Sequence, residues 1–245
     1  MATTNKNTIT IYDGPSRIDG QRIIVLATGL KSASTNRKTG GMVQTHILRA
    51  DIKPTEALRT GKDSSICGGC IHRPKSFDGT NYRSRSCYVN MQASTAMWKA
   101  WKRGSYVATW DARTFANRKV RLGTYGDPAA VPTAVWDRVL KLAKAWTGYT
   151  HQAASARLRD TLKYCQFSAD SLPDAQAAHK AGLGTFRVLG PTDTIADFET
   201  VCPASSEAGK RTTCNVCLKC NGSKGFNIVI NAHGIGASSF QQRIA

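Results

Sequence analysis

The 245-residue chain is long enough for one substantial core, and its 41% hydrophobic and 20% charged residues exclude a disordered or fibrous protein. Thirty-four Lys and Arg against sixteen Asp and Glu leave a net charge of +18, which suits a polyanionic partner, nucleic acid above all, or serves solubility alone. The opening MATTNKNTITIYDG lacks a basic segment followed by an apolar one, and no apolar run approaches the roughly eighteen residues of a membrane span, so a cytoplasmic protein is predicted.

Beyond the polar leader, RIIVLAT (22–28) reads as a buried strand and MVQTHILRA (42–50) as a second. The Gly40-Gly41 turn just before the second run predicts an antiparallel pair at the edge of the main domain. In NMQASTAMWKAWKRG (90–104), Ala93, Ala96, Met97, Ala100 and Trp101 recur at helical spacing, and Met97, Trp98 and Trp101 read as helix core. From Val120 onward short apolar strands alternate with amphipathic helices. Strands are predicted at 120–126, 147–152, 164–170, 184–190 and 226–234, and helices at 132–146, 155–163 and 173–182. Such alternation implies right-handed crossovers and a parallel sheet, open or curled. Ligands of parallel sheets sit at the carboxyl ends of the strands, so Gly126-Asp127-Pro128, His151, Ser168 with Asp170, and His233 become candidates. His151 is either a substrate contact or a hydrogen-bonded rim residue. Arg121 lies inside an apolar strand, where an unpaired guanidinium is costly, which makes it a candidate anion contact.

Eight cysteines in a chain of this kind suggest metal ligands more than disulfides. Cys214, Cys217 and Cys220 are spaced C-x2-C-x2-C, and Cys202 lies upstream with eleven residues intervening before the triplet. Four thiolates so placed enclose either a tetrahedral zinc ion or a 4Fe-4S cluster. Cys67 and Cys70 form a second group with Cys87, which follows after sixteen intervening residues; His72 is the nearest imidazole for a fourth ligand. Cys165, alone on a strand, reads as a small core residue.

With strands and cysteines in this order, the chain from about residue 60 onward resembles radical S-adenosylmethionine enzymes, and more closely a group of phage-encoded proteins of unknown function that look like divergent relatives of them. The features that carry the resemblance are Cys67, Cys70 and Cys87-Tyr88 before the first helix, the YGDP turn at 125–128, SADS at 168–171, the cysteine loop at 202–220 and the early loop GLKSASTNRKTG. It implies an α/β fold: a partial (β/α) barrel of mainly parallel strands over 61–245, with cysteine loops at 67–87 and 202–220. A polar leader with a small antiparallel β element fills 1–60. It further implies a 4Fe-4S cluster on Cys67, Cys70 and Cys87 that binds S-adenosylmethionine, with Tyr88, Tyr125, Gly126 and Asp127 contacting the cofactor. Asp127, His151, Ser168 and Asp170 would be the catalytic set, and the C-terminal cysteines would hold an auxiliary cluster. The spacing departs from the family's compact C-x3-C-x2-C, which leaves structural zinc as the alternative metal. From the residues alone, Asp127 serves equally well as a helix cap ahead of Pro128.

The densest basic neighbourhood comprises Lys31, Arg37 and Lys38 with Arg73, Lys75, Arg83 and Arg85, and Phe77 and Tyr82 are interleaved for stacking on unpaired bases. These residues form either a nucleic-acid contact or a solvated loop. Three functions are therefore open: a metal-cluster enzyme modifying a nucleotide or nucleic acid, a non-catalytic zinc-stabilised nucleic-acid-binding protein, and a phage factor that binds a host protein.

Overall fold

The computed structural model describes residues 7–33, 36–77, 82–83, 85–222, 225–234 and 236–244. Three strands open the fold: β1 (Thr8–Pro15), β2 (Arg22–Thr28) and β3 (Val43–Arg49). β2 and β3 pair antiparallel as expected, with Ile24 opposite Leu48. The strand β1 was not foreseen in the polar leader; its apolar Ile9 and Ile11 are buried and it pairs antiparallel with β2. Two short helices follow, α1 (Pro54–Arg59) and α2 (Ser64–Cys67), and then a two-strand ribbon of β4 (Ser76–Phe77) and β5 (Tyr82–Arg83). Helix α3 (Met91–Lys102) forms where the periodicity predicts it. The Asn90 side chain caps it by accepting from the N–H groups of Gln92 and Ala93.

The alternating half runs β6 (Lys119–Tyr125), α4 (Thr133–Leu140), β7 (Ala145–Thr147), β8 (Tyr149–Thr150), β9 (Gln166–Ala169), α5 (Leu172–Lys180) and β10 (Thr185–Leu189). It closes with β11 (Thr200–Val201), α6 (Cys214–Cys217), β12 (Asn227–Asn231) and α7 (Ala237–Ile244). The fold is mixed α/β with two five-stranded sheets. One is mixed, in the order β1-β2-β3-β6-β7; the other is wholly parallel, in the order β11-β12-β10-β9-β8. Among the described residues neither sheet closes on itself.

Three predicted elements are corrected. Helix α4 ends at Leu140 because the chain must extend again by Ala145 to pair with β6. The strand expected over 147–152 is two strands in different sheets, divided at Gly148, whose N–H donates to the Cys220 carbonyl while its own carbonyl accepts from Gln166. A Cβ at Gly148 would sit 2.7 Å from the Cys165 sulfur, so the crossing needs glycine. The helix expected over 155–163 is a series of turns ending in a 3-10 helix at Arg159–Lys163. Its helical periodicity loses to tertiary bonds: Arg17 grips the Arg157 carbonyl and the Asp160 carboxylate, and Arg157 donates to the Ile18 carbonyl.

The apolar core lies beneath the mixed sheet, where Ile23, Ile24, Val25 and Leu26 of β2 meet Ile47, Leu48, Val120, Leu122 and Trp136. Cys165 belongs to this core, and Met97, Trp98 and Trp101 pack against it. The parallel sheet is braced differently. Arg187, 1% exposed in the middle of β10, is held by the Glu199 carboxylate through two bonds of 2.9 and 2.6 Å.

Candidate functional site

The carboxyl ends of β6, β8, β9, β11 and β12 open onto one cavity of about 610 Å³. All seven cysteines outside the core line it: Cys67, Cys70 and Cys87 together with Cys202, Cys214, Cys217 and Cys220. None of the eight cysteines is in a disulfide.

The first group is assembled by short bonds within its own loop. Cys67 ends α2, and its carbonyl accepts from the Cys70 N–H at 3.2 Å. The sixteen residues after Cys70 double back through the β4–β5 ribbon, so that the Cys87 N–H donates to the His72 carbonyl at 3.0 Å. The departure from compact spacing therefore does not keep the three thiols apart. Burial, reinforced by Cys70, Asp63 and Cys87, pushes the Cys67 thiol well above its ordinary pKa. Burial also raises Cys87, against the pull of the Arg85 guanidinium. Beneath them the buried Asp63 carboxylate holds Arg73 through bonds of 2.9 and 2.7 Å, and Arg73 also donates to the Gly61 and Gly68 carbonyls.

The YGDP turn is tied to this loop, with the Asp127 N–H donating to the Ile66 carbonyl. Gly126 has φ +81°, and a Cβ there would lie 2.7 Å from that of Ile47, so the turn admits no side chain at this position. Asp127 is the cap anticipated from its place before Pro128: one oxygen accepts from the Ala129 N–H at 2.9 Å. Its other oxygen accepts from the His151 N–H at 2.8 Å. Burial raises the Asp127 carboxyl and those bonds counter it. Tyr125 is buried with its hydroxyl unpartnered among the described residues.

His151 and Asp170 meet across adjacent strand ends, with Nδ1 3.1 Å from Oδ1. Burial alone would keep this imidazole neutral, but Cys70 and Asp170 outweigh it and raise its pKa well above the ordinary value. His72, whose Nδ1 lies 2.9 Å from the Ser86 hydroxyl, approaches the same place. Ligand atoms of His72, His151 and Asp170 all lie within 4.8 Å of one another, a spacing that suits a single metal ion. Ser168 is buried on the cavity wall, and His233 reaches the wall in ring contact with Tyr88 at 5.0 Å.

The second group is held by bonds to segments distant in the chain. The Cys214 N–H donates to the Lys38 carbonyl, the Cys220 carbonyl accepts from Gly148, and the Cys202 N–H donates to the Val229 carbonyl. Burial pushes the Cys220 thiol up to about 12, with Tyr149 pulling against its three cysteine neighbours. Burial also raises Cys214, and Arg121 and Lys38 lower it. A sulfur-only donor set suits zinc or an iron–sulfur cluster, and buried thiols that disfavour one another's ionisation gain most from a bound cation.

The seven basic residues singled out in the sequence part company. Lys31, Arg37 and Lys75 are exposed, whereas Lys38 lines the cavity. Arg73 and Arg85 turn inward, Arg85 donating to the Val89 carbonyl. The side chains of Arg83, Phe77 and Tyr82 lie outside the described residues. Among those residues no helix is long and apolar enough to cross a membrane. No protein-family model, curated protein or solved structure matches the chain.

Proposed function

We propose that the cavity is the active site of a metal-cluster enzyme of the radical S-adenosylmethionine type, acting on a nucleotide or nucleic acid. In this reading the two sheets work as one partial barrel, joined at Gly148, with an iron–sulfur cluster in each cysteine group. The observation that carries it is the shared cavity: two cysteine groups far apart in the chain open onto one space at the carboxyl ends of parallel strands. Structural clasps have no reason to converge there.

A cluster with one open iron and S-adenosylmethionine together supply reductive cleavage of a carbon–sulfur bond. The chain's own residues bind and orient. Cys67, Cys70 and Cys87 would hold the first cluster, and Cys202, Cys214, Cys217 and Cys220 the second. The free lone pairs of Asp127 accept from a ligand ammonium, while its existing bonds fix the direction of approach. His151, between Asp170 and Cys70, holds a proton at the cavity wall, and Ser168 offers a hydroxyl beside it. The apolar side chains of Phe186, Val188, Ile228 and Ile230 exclude water.

A second reading, a zinc-stabilised nucleic-acid-binding protein without catalysis, is favoured by the +18 charge and by the single-ion spacing of His72, His151 and Asp170. One measurement separates the two: metal and sulfide content with an ultraviolet-visible spectrum, on protein purified without oxygen. The expected result is about four iron and four sulfide per occupied group, followed by cleavage of S-adenosylmethionine under reduction. Zinc alone, with no iron taken up on anaerobic reconstitution, sinks the radical reading.

A further inference from the structure

We propose that Arg121 anchors an anion site in this cavity, one that takes the carboxylate or phosphate of a small organic ligand. The assignment rests on the cavity being a substrate site.

Arg121 stands in the middle of β6, between Gln44 of β3 and Thr147 of β7, and its side chain reaches the cavity wall. Its Nε is buried with no hydrogen-bond partner among the described residues, and no carboxylate pairs with its guanidinium there. Three other inward arginines are paired with carboxylates, Arg49 with Asp51, Arg73 with Asp63 and Arg187 with Glu199, while Arg85, whose Nε is also unpartnered among the described residues, donates to the Val89 carbonyl. The side chains nearest Arg121 are Tyr149, Tyr88, Cys214 and Cys220, none of them a carboxylate. His46 beside it is itself driven down to about 4, by burial and then by Arg121. A permanent cation inside a protein, without a counter-charge, costs several kcal/mol. A ligand anion offsets that cost.

The cavity's own carboxylates do not answer the charge. The Asp127 carboxylate accepts from the backbone N–H groups of Ala129 and His151, and Asp170 faces the His151 ring. Asp127 and Asp170 stand toward the first cysteine group together with Arg73 and Arg85, whereas Arg121 and Lys38 stand near the second. Its volume matches that of small-molecule pockets and exceeds what a bare ion needs. The wall beside Arg121 is apolar and aromatic, with Tyr149 and Phe186 in ring contact at 4.5 Å. An organic body fits that wall, and the planar guanidinium fork recognises a carboxylate or a phosphate.

The test is calorimetric titration of the full chain with acetate, inorganic phosphate and adenosine monophosphate at fixed ionic strength, with iron, zinc and sulfide measured on the same samples. Saturable one-to-one binding is expected for at least one of the three, tightest where an organic body accompanies the anion. Arg121→Met should weaken it tenfold or more, Arg121→Lys should fall between, and the exposed Lys180→Ala should leave it unchanged. Should Arg121→Met fail to fold, protection of the Arg121 peptide from phenylglyoxal by the same anions gives the answer in the unaltered protein. No saturable binding, or binding indifferent to Arg121→Met, overturns the proposal. So does a variant that loses metal while binding anions normally, because the guanidinium then balances a metal–thiolate charge. Anion binding that needs Arg121 in a protein holding only zinc keeps this site and removes the cluster reading alone.

Discussion

The two cysteine groups share a cavity but are built on opposite plans. Cys67, Cys70 and Cys87 are positioned mainly by bonds within one loop, over the pair of buried Asp63 and part-buried Arg73, with Gln152 and Asp127 tying that loop to the strand ends. Cys202, Cys214 and Cys220 are positioned by bonds to β12, to the loop before β3 and to the crossing at Gly148. The first group sits with paired charges of both signs, Arg73 with Asp63 and Arg85 nearby, and the second with the cations Arg121 and Lys38. A locally built site survives changes in the sheets and fails when its own loop fails, whereas a site stitched to remote strands depends on the whole fold.

The largest expected effect breaks the first plan alone. Removing one partner of a buried ion pair costs about 3 kcal/mol, because the other charge remains buried. Asp63→Asn should therefore destabilise the chain by roughly that amount in urea unfolding, and should release metal from the first group while the second keeps its own. Equal loss from both groups would show that the loop is no independent unit.

A smaller effect sharpens the other end. His46 stays neutral in the folded protein down to about 4, against an unfolded value near 6.5. Because the unfolded chain binds this proton first, the stabilising contribution is present above about 6.5 and is lost as pH falls toward 4. His46→Gln removes that linkage. At pH 5 the variant should gain about 2 kcal/mol relative to the parent, with the two converging above pH 7. Identical acid limbs for both proteins would mean that neither burial nor Arg121 keeps His46 neutral.

Much of this plan was legible in the sequence, for identifiable reasons. Cysteine spacing reports ligand groups because each group is local, and strand ends report candidate side chains because parallel sheets bind at that edge. The convergence of both groups on one cavity was not legible, since it depends on bonds such as Cys214 to Lys38 that no spacing encodes. Arg73 and Arg85 read as surface cations, but a basic loop does not reveal which guanidiniums turn inward to carbonyls and carboxylates. The His151–Asp170 contact had a signal: sequential parallel strands are neighbours, so their terminal residues meet. β1 had one as well, in the alternation of TITIY. Arg187 in the middle of TFRVL carried the same warning as Arg121, a charge in an apolar strand, and it proved to be paired, whereas Arg121 has no carboxylate partner among the described residues.

The smallest expected effect concerns the eighth cysteine, which belongs to neither plan. Cys165 is 1% exposed in the core and packs against Gly148, where the chain passes between sheets. Burial holds its thiol well above the ordinary pKa, so it behaves as a small apolar group. Cys165→Ala deletes one buried sulfur and should cost about 1 kcal/mol through the small cavity it leaves. Metal content and the midpoint of anion titration should not move. Loss of metal from the second group alone would give Cys165 a part in holding Gly148, and through it Cys220, in register, which would extend the dependence of that group on the sheets into the core itself.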